Sequence, residues 1–213
     1  MNLQWQKYPH NARKLFKLTI PIFISQLSAS GMGLADIVMA GLVSDDDVSA
    51  IAVSNSIYFP LFLFVLGLLN AITPTVSYLN GSNQRHLIAH QVRQGFWLVL
   101  TMSIPLILIF CNSHLILDYM HTPESFSSKS QQYLMIMAIG IVPALLAINL
   151  RCMNDGLSNP KPAMIITFFG LLLNIPLNYI FIFGKFGLPE MGAVGCGVAT
   201  AIVNWVMFLM MLY

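Results

Sequence analysis

Residues 18–44 read LTIPIFISQLSASGMGLADIVMAGLVS, an apolar stretch that contains one charged side chain, Asp36. A helix rises about 1.5 Å per residue, so about 20 apolar residues cross the hydrocarbon core of a bilayer. The stretch therefore predicts a membrane-spanning helix. A carboxylate in hydrocarbon is energetically costly, and we expect Asp36 to have polar partners or a function.

The composition of the whole chain agrees with a membrane location. Of its 213 residues, 57% are hydrophobic and 8% are charged, whereas a soluble domain has roughly 25% charged residues. The net charge of +2 and the scattered Lys and Arg residues argue against a nucleic-acid partner. The three cysteines form no CxxC pair, so no zinc site, disulfide framework or cofactor is expected.

Six segments are long and apolar enough to cross a bilayer, and short turn-like connections separate them. They are approximately residues 15–43, 48–69, 92–111, 133–150, 162–183 and 192–213. The sequence predicts an all-α integral membrane protein in which residues 1–213 form one six-helix lobe. The sixth segment reaches Tyr213 without a basic flank, which indicates to us that a second lobe is missing.

The basic residues predict the orientation, because Lys and Arg are retained on the cytoplasmic side. A cytoplasmic N-terminus leaves two basic residues, Lys129 and Lys185, on the outer side. The other eight are then cytoplasmic: Lys7, Arg13, Lys14, Lys17, Arg85, Arg93, Arg151 and Lys161. Both ends of this segment are expected in the cytoplasm.

Helical spacing places Asp36 on a face of small and polar residues, opposite a face of large apolar ones. The Asp36 side holds Ser25, Ala29, Met32, Gly33 and Ala40, and the opposite side holds Phe23, Leu27, Leu34 and Val38. Asp36 is therefore expected to face protein. Pro21 lies lower on the same helix, where its missing N–H permits a hinge.

Two further spans present polar faces at a depth that matches Asp36. Asn174 and Asn178 are four residues apart in the fifth span, so both amides project from one side. Thr200 and Asn204 continue a polar stripe in the sixth span. A carboxylate with amide and hydroxyl oxygens suits Na⁺, with Asp36, Asn174 and Asn178 as ligands, and a desolvated carboxyl group equally suits a proton. The sequence leaves both ions open.

Simpler interpretations remain for each polar residue. Asp36 could form structural hydrogen bonds, and the two asparagines could hold helices together. Asp155 lies four residues after Arg151 and could be half of an interfacial ion pair. An enzyme is not expected, because no nucleophile, base and metal cluster occur together.

An ordered set of short motifs along the chain resembles the multidrug and toxic compound extrusion (MATE) transporters, particularly their NorM-type branch. The motifs are Thr19-Ile20-Pro21 with Gln26, Ala35-Asp36, Ala40-Gly41, Gly67-Leu68, Thr73-Pro74, Arg151 to Asp155-Gly156, Pro160-Lys161-Pro162 and Asn174-Ile175-Pro176-Leu177-Asn178-Tyr179.

The resemblance implies a bacterial inner-membrane antiporter of twelve helices in two lobes, which exports cationic amphiphilic drugs in exchange for Na⁺ or H⁺. This chain resembles the N-terminal lobe, embedded in membrane lipid and not expected to transport alone. Asp36 matches the family's cation-responsive carboxylate, with Asn174, Asn178 and Thr200 around it and Pro21 at the bend. Tyr133 and Asp155 match positions that are polar in relatives.

Two other functions stay open at this stage. An exporter or flippase of lipid-linked or polysaccharide cargo would favour a basic cavity, and no Lys or Arg is predicted at mid-depth. A structural subunit of a membrane assembly would tolerate replacement of Asp36 by Ala.

Overall fold

The computed structural model describes residues 8–187 and 189–213, with side chains from residue 15 onward. Residues 1–7, including Lys7, and Leu188 lie outside the described residues, as do the side chains of Arg13 and Lys14. The helices are α1 (Tyr8–Gly41), α2 (Asp45–Asn70), α3 (Ile72–Gly81), α4 (Ile88–Cys111), α5 (Ser113–Tyr119), α6 (Glu124–Gly156), α7 (Lys161–Ile182) and α8 (Ala193–Leu212). A 3₁₀ turn covers Arg85–Leu87.

The six predicted spans are confirmed as helices. The membrane-length segments are Leu15–Gly41, Asp45–Gly81, Arg85–Cys111, Glu124–Gly156, Lys161–Ile182 and Ala193–Leu212. The fourth is the least accurately predicted, because α6 has 33 residues and extends beyond residues 133–150 at both ends. A search for apolar segments did not include these two ends, because Glu124 and the last helical turn after Leu150 are polar.

The sequence did not predict two short helices. Helix α3 follows α2 after Ala71, whose backbone N–H still bonds to the carbonyls of the last α2 turn. Helix α5 fills the connection between α4 and α6. Both are too short to cross a bilayer alone, so a search for membrane-length segments could not identify them.

Residues 44–47, which join the first two predicted spans, form the N-cap and first turn of helix α2. The Ser44 side chain accepts a hydrogen bond from the Asp46 N–H at 3.0 Å and caps α2. Three aspartates occupy the first helical turn, where negative charge is favoured by the helix dipole.

Helix α6 is the central element of the lobe. It packs against α8, α4 and α2, whereas α1 packs mainly on α7 and touches α2 and α8 only lightly. Leu134, Ile141 and Leu145 of α6 are fully buried. Small residues let the backbones approach closely: a Cβ on Gly140 would lie 2.9 Å from the Cα of Ala201 in α8.

A buried carboxylate, Asp47, joins three helices at the end of the lobe opposite Lys17. Its Oδ1 accepts hydrogen bonds from Lys129 Nζ of α6 at 2.8 Å and from the Ala193 N–H at the start of α8 at 3.1 Å. Gly192 has a φ of +53°, and a Cβ there would lie 2.6 Å from Asp47 Oδ1. Glycine therefore permits both the left-handed backbone and the close approach of Asp47.

We expect Asp47→Ala to lower the free energy of unfolding by about 2–4 kcal/mol, because Lys129 and the α8 N-terminus lose their shared acceptor. The matched control is Asp46→Ala in the same helical turn, whose side chain is exposed and whose removal should cost less than about 1 kcal/mol. Unfolding of the purified protein, titrated with a denaturing detergent, measures both values. Equal losses for the two variants would contradict this role of Asp47.

Candidate functional site

Asp36 is a buried carboxylate in the C-terminal half of α1, with 8% of its surface exposed. The opposite face of the helix is exposed as predicted, with Phe23, Leu27, Leu34 and Val38 at 54–65%. Ser25 and Ala40, on the Asp36 side, are buried. Gly33 was also predicted to lie on the Asp36 side, but it is exposed. It lies at the border between the Asp36 face and the exposed apolar face of α1.

Helix α7 brings two amides to Asp36. Asn178 Nδ2 donates to Asp36 Oδ1 at 2.6 Å, and Asn174 Nδ2 donates to the same oxygen at 3.2 Å. Both asparagines are completely buried. Their spacing of one helical turn puts both side chains on the α7 face that meets α1, as the sequence predicted.

Helix α8 completes the set of donors. Thr200 Oγ1 donates to Asp36 Oδ2 at 3.1 Å. Cys196, one helical turn before Thr200 in α8, also lies beside Asp36. Asp36 thus connects α1, α7 and α8 through its two oxygens. No described Lys, Arg or His side chain forms a salt bridge with Asp36. Neutral hydrogen bonds therefore provide the stabilisation of this carboxylate among the described residues.

One oxygen at this site lacks a partner among the described residues. Asn174 Oδ1 accepts from Asn178 Nδ2 at 3.0 Å, whereas Asn178 Oδ1 is buried without a hydrogen bond. An unsatisfied buried acceptor costs about 1–3 kcal/mol. Amide rotation would exchange Oδ1 and Nδ2 of Asn178, so this side chain can present either a donor or an acceptor to Asp36. The carboxylate and amide oxygens could bind a hard cation or a proton, and ion binding at this site stays a prediction.

Pro21 lies inside the continuous helix α1, about four turns before Asp36. Proline has no N–H, so the carbonyl of Lys17 loses its usual helical partner. The Pro21 carbonyl accepts a hydrogen bond from Ser25 Oγ at 3.0 Å. This local loss of helical hydrogen bonding is the basis of the predicted hinge at Pro21.

Two secondary candidates lie near the site without a hydrogen bond to Asp36 among the described contacts. Tyr133 of α6 is buried, and its ring packs against Gly197 of α8. Asn204 Nδ2 lies 3.5 Å from the Gly140 carbonyl, which links α8 to α6.

A cavity of about 340 Å³ lies in the other half of the lobe, toward Arg151. Helices α1, α2, α6, α7 and α8 contribute to its wall. Its apolar lining includes Met32, Met207, Met211 and Phe62. The sequence did not identify this cavity, because it arises where five helices meet and has no motif of its own.

Asp155 lines this cavity and lies apart from the Asp36 cluster. Its Oδ2 is 3.7 Å from Arg151 Nε, which is the ion pair that one sequence interpretation predicted. Its Oδ1 is buried and has no hydrogen-bond partner among the described residues. The ion pair therefore satisfies only part of the carboxylate.

Comparisons with known sequences show that the chain is similar to bacterial multidrug resistance proteins. The MatE family model matches residues 21–180. The probable multidrug resistance protein NorM of Haemophilus ducreyi is 85% identical over 213 residues, which are all of this chain and 46% of that protein. The multidrug resistance protein MdtK of Yersinia pestis is 52% identical over 207 residues, 97% of this chain and 45% of that protein.

Solved structures show the same fold. An outward-facing multidrug resistance MATE family transporter of the MOP superfamily superposes with a TM-score of 0.85 at 17% identity, over 94% of this chain and 44% of that one. The MATE transporter NorM-NG, solved in complex with a monobody, gives a TM-score of 0.69 at 28% identity, over 90% and 42%.

The chain spans about half the length of the curated relatives it matches. The resemblance inferred from the sequence motifs is thereby confirmed, as is the six-helix lobe. The chain belongs to the MatE family and corresponds to the N-terminal half of its NorM members.

Proposed function

We propose that this chain is the ion-responsive half of a secondary active multidrug exporter, in which Asp36 binds Na⁺ or H⁺ in exchange for drug. The observation that carries the proposal is the buried Asp36 carboxylate, which has three neutral donors and, beside it, an Asn178 oxygen without a partner among the described residues. An ionisable group kept in the membrane interior without a cationic partner is expected to be functional.

The hydrogen bonds suggest how an ion changes the site. Without an ion, the negative carboxylate accepts from Asn174, Asn178 and Thr200. A proton or Na⁺ on Asp36 changes what the neighbouring side chains must provide. A protonated carboxyl group needs a hydrogen-bond acceptor, and Na⁺ needs oxygen ligands. Rotation of the Asn178 amide supplies such an oxygen. Ion binding therefore alters the connection between α1 and α7.

The same helix carries this change to the cavity. Gln26, Ala29 and Met32 lie on α1 between Pro21 and Asp36, and all three line the cavity. If ion binding at Asp36 changes the bend of α1 at Pro21, these side chains move and the affinity of the cavity for drug changes. The ion and the drug need not touch for their binding to be coupled.

The cavity lining supports a broad range of apolar substrates. Methionine side chains are flexible and polarisable, so Met32, Met207 and Met211 can adapt to ligands of different shape. The NorM and MdtK relatives are named multidrug resistance proteins, which agrees with this chemistry. We propose cationic amphiphilic drugs as substrates and the bacterial inner membrane as the location, with both ends of the segment in the cytoplasm.

An exporter of lipid-linked or polysaccharide anions is the second candidate, since Arg151 lines the cavity. Its guanidinium, however, lies beside the Asp155 carboxylate, which offsets the positive charge. We therefore favour drug export.

Asp36→Asn, made in a full-length transporter that contains this chain, should reduce ion-driven drug efflux to the level seen without a gradient. Asparagine keeps the size of the side chain, but it has no negative charge to attract Na⁺ and no carboxylate to take up a proton. Efflux from proteoliposomes under separate Na⁺ and pH gradients measures the effect. Asp45→Asn, at an exposed position, should retain efflux. Undiminished gradient-dependent export by Asp36→Asn would refute the proposal.

Asn178→Ala should raise the ion concentration that gives half-maximal transport by about tenfold, because one ligand oxygen is lost. Titrations of Na⁺ and of H⁺ are run separately, and the ion whose curve shifts is the coupling ion. Asn112→Ala is the control, since Asn112 is exposed and bonds to the Leu108 carbonyl of α4, away from Asp36. If neither curve shifts for Asn178→Ala, the amide is not part of the ion site.

Pro21→Ala should leave ion affinity at Asp36 unchanged and lower the drug transport rate several-fold, because the alanine N–H restores the helical hydrogen bond to Lys17. Pro105→Ala provides the control, as Pro105 lies exposed within α4. Ion titration and transport rate are measured on the same preparations. Equal transport by the two variants would exclude a hinge at Pro21.

A further inference from the structure

A basic groove lies between the inner ends of α1 and α7, about 430 Å³ in volume. Lys17 and Leu18 of α1 form one side, and residues 158–161 form the other. The groove is separate from the cavity that contains Arg151, and the proposed exchange of ion and drug does not use it.

The groove concentrates positive potential. Lys17 and Lys161 are both exposed, and Lys161 forms no salt bridge with any described side chain. The N-terminus of α7 also lies at this groove, and no side chain caps its first turn. A helix N-terminus adds partial positive charge to that of the two lysines.

Apolar stripes extend from both lysines along the membrane-spanning parts of the two helices. On α7, Ile165 and Leu172 share the face of Lys161 and are 58% and 53% exposed. On α1, Ile20 and Leu27 continue from Lys17 with 53% and 61% exposure. A positive site at the membrane surface thus adjoins apolar surface at hydrocarbon depth.

We propose that this groove binds an anionic phospholipid. The phosphodiester headgroup lies between Lys17 and Lys161, and the acyl chains lie along the exposed stripes of α1 and α7. The arrangement matches both parts of such a lipid, and basic pockets between membrane helices are suited to anionic headgroups. The positive-inside prediction assigns this lipid to the cytoplasmic leaflet.

The bound lipid would act on the inner end of α1. Lys17 lies one helical turn before Pro21, and its own carbonyl is the one that Pro21 leaves without a helical N–H. A headgroup held by both lysines ties this end of α1 to α7, so the segment below the predicted hinge stays fixed. The inference does not depend on the identity of the coupling ion.

The test is a titration of the purified protein with phosphatidylglycerol and, separately, with phosphatidylcholine, followed by native mass spectrometry. The double variant Lys17→Gln/Lys161→Gln should bind phosphatidylglycerol about tenfold or more weakly, with phosphatidylcholine binding unchanged. Lys185→Gln is the matched control, because Lys185 lies beyond the other end of α7, near Tyr179. It should bind both lipids as the unmodified protein does.

Two further arms separate the possible explanations. Lys17→Arg/Lys161→Arg keeps the charge and should retain phosphatidylglycerol binding, which distinguishes loss of the site from loss of the fold. Excess inorganic phosphate should not displace the lipid, because it has no acyl chains. Equal phosphatidylglycerol binding by the glutamine double variant and the unmodified protein would overturn the proposal. The same result in a full-length transporter that contains this chain would overturn it as well.

Discussion

The arrangement of α1, α7 and α8 depends on the placement of one carboxylate in a region where water is scarce. Asp36 is stable there only if its charge is offset, and the described structure provides three neutral donors instead of a cation. Those donors come from two helices that are distant in sequence from α1. The need to satisfy one charge therefore determines which helix faces meet.

The lobe combines a tightly held part with a lightly held one. Helix α6 packs extensively against α8, α4 and α2, and Asp47 fixes the start of α8 to α2 and α6. Helix α1 instead rests mainly on α7, and the cavity separates much of it from α2 and α6. In the proposed coupling, a change in protonation or ion occupancy at Asp36 acts on a helix that is held mainly by α7.

Much of this architecture follows from sequence periodicity. The length of the apolar segments predicts the six spans, and the spacing of Asn174 and Asn178 places both amides on the face that meets Asp36. The bond between Asp47 and Lys129 was not predictable from sequence. The two residues are 82 positions apart, and Asp47 is one of three consecutive aspartates that the sequence does not distinguish. The cavity was missed for a related reason: its shape depends on how five helices pack, and no single segment encodes it.

The proposed coupling requires that the Asp36 carboxyl group itself takes up and releases the ion. Infrared difference spectroscopy of the purified protein observes carboxyl vibrations directly while Na⁺ concentration or pH is changed. We predict a carboxyl difference band under at least one of these changes, and its disappearance in Asp36→Asn. An identical difference spectrum for the unmodified protein and the Asp36→Asn variant, under both Na⁺ and pH changes, would contradict the account.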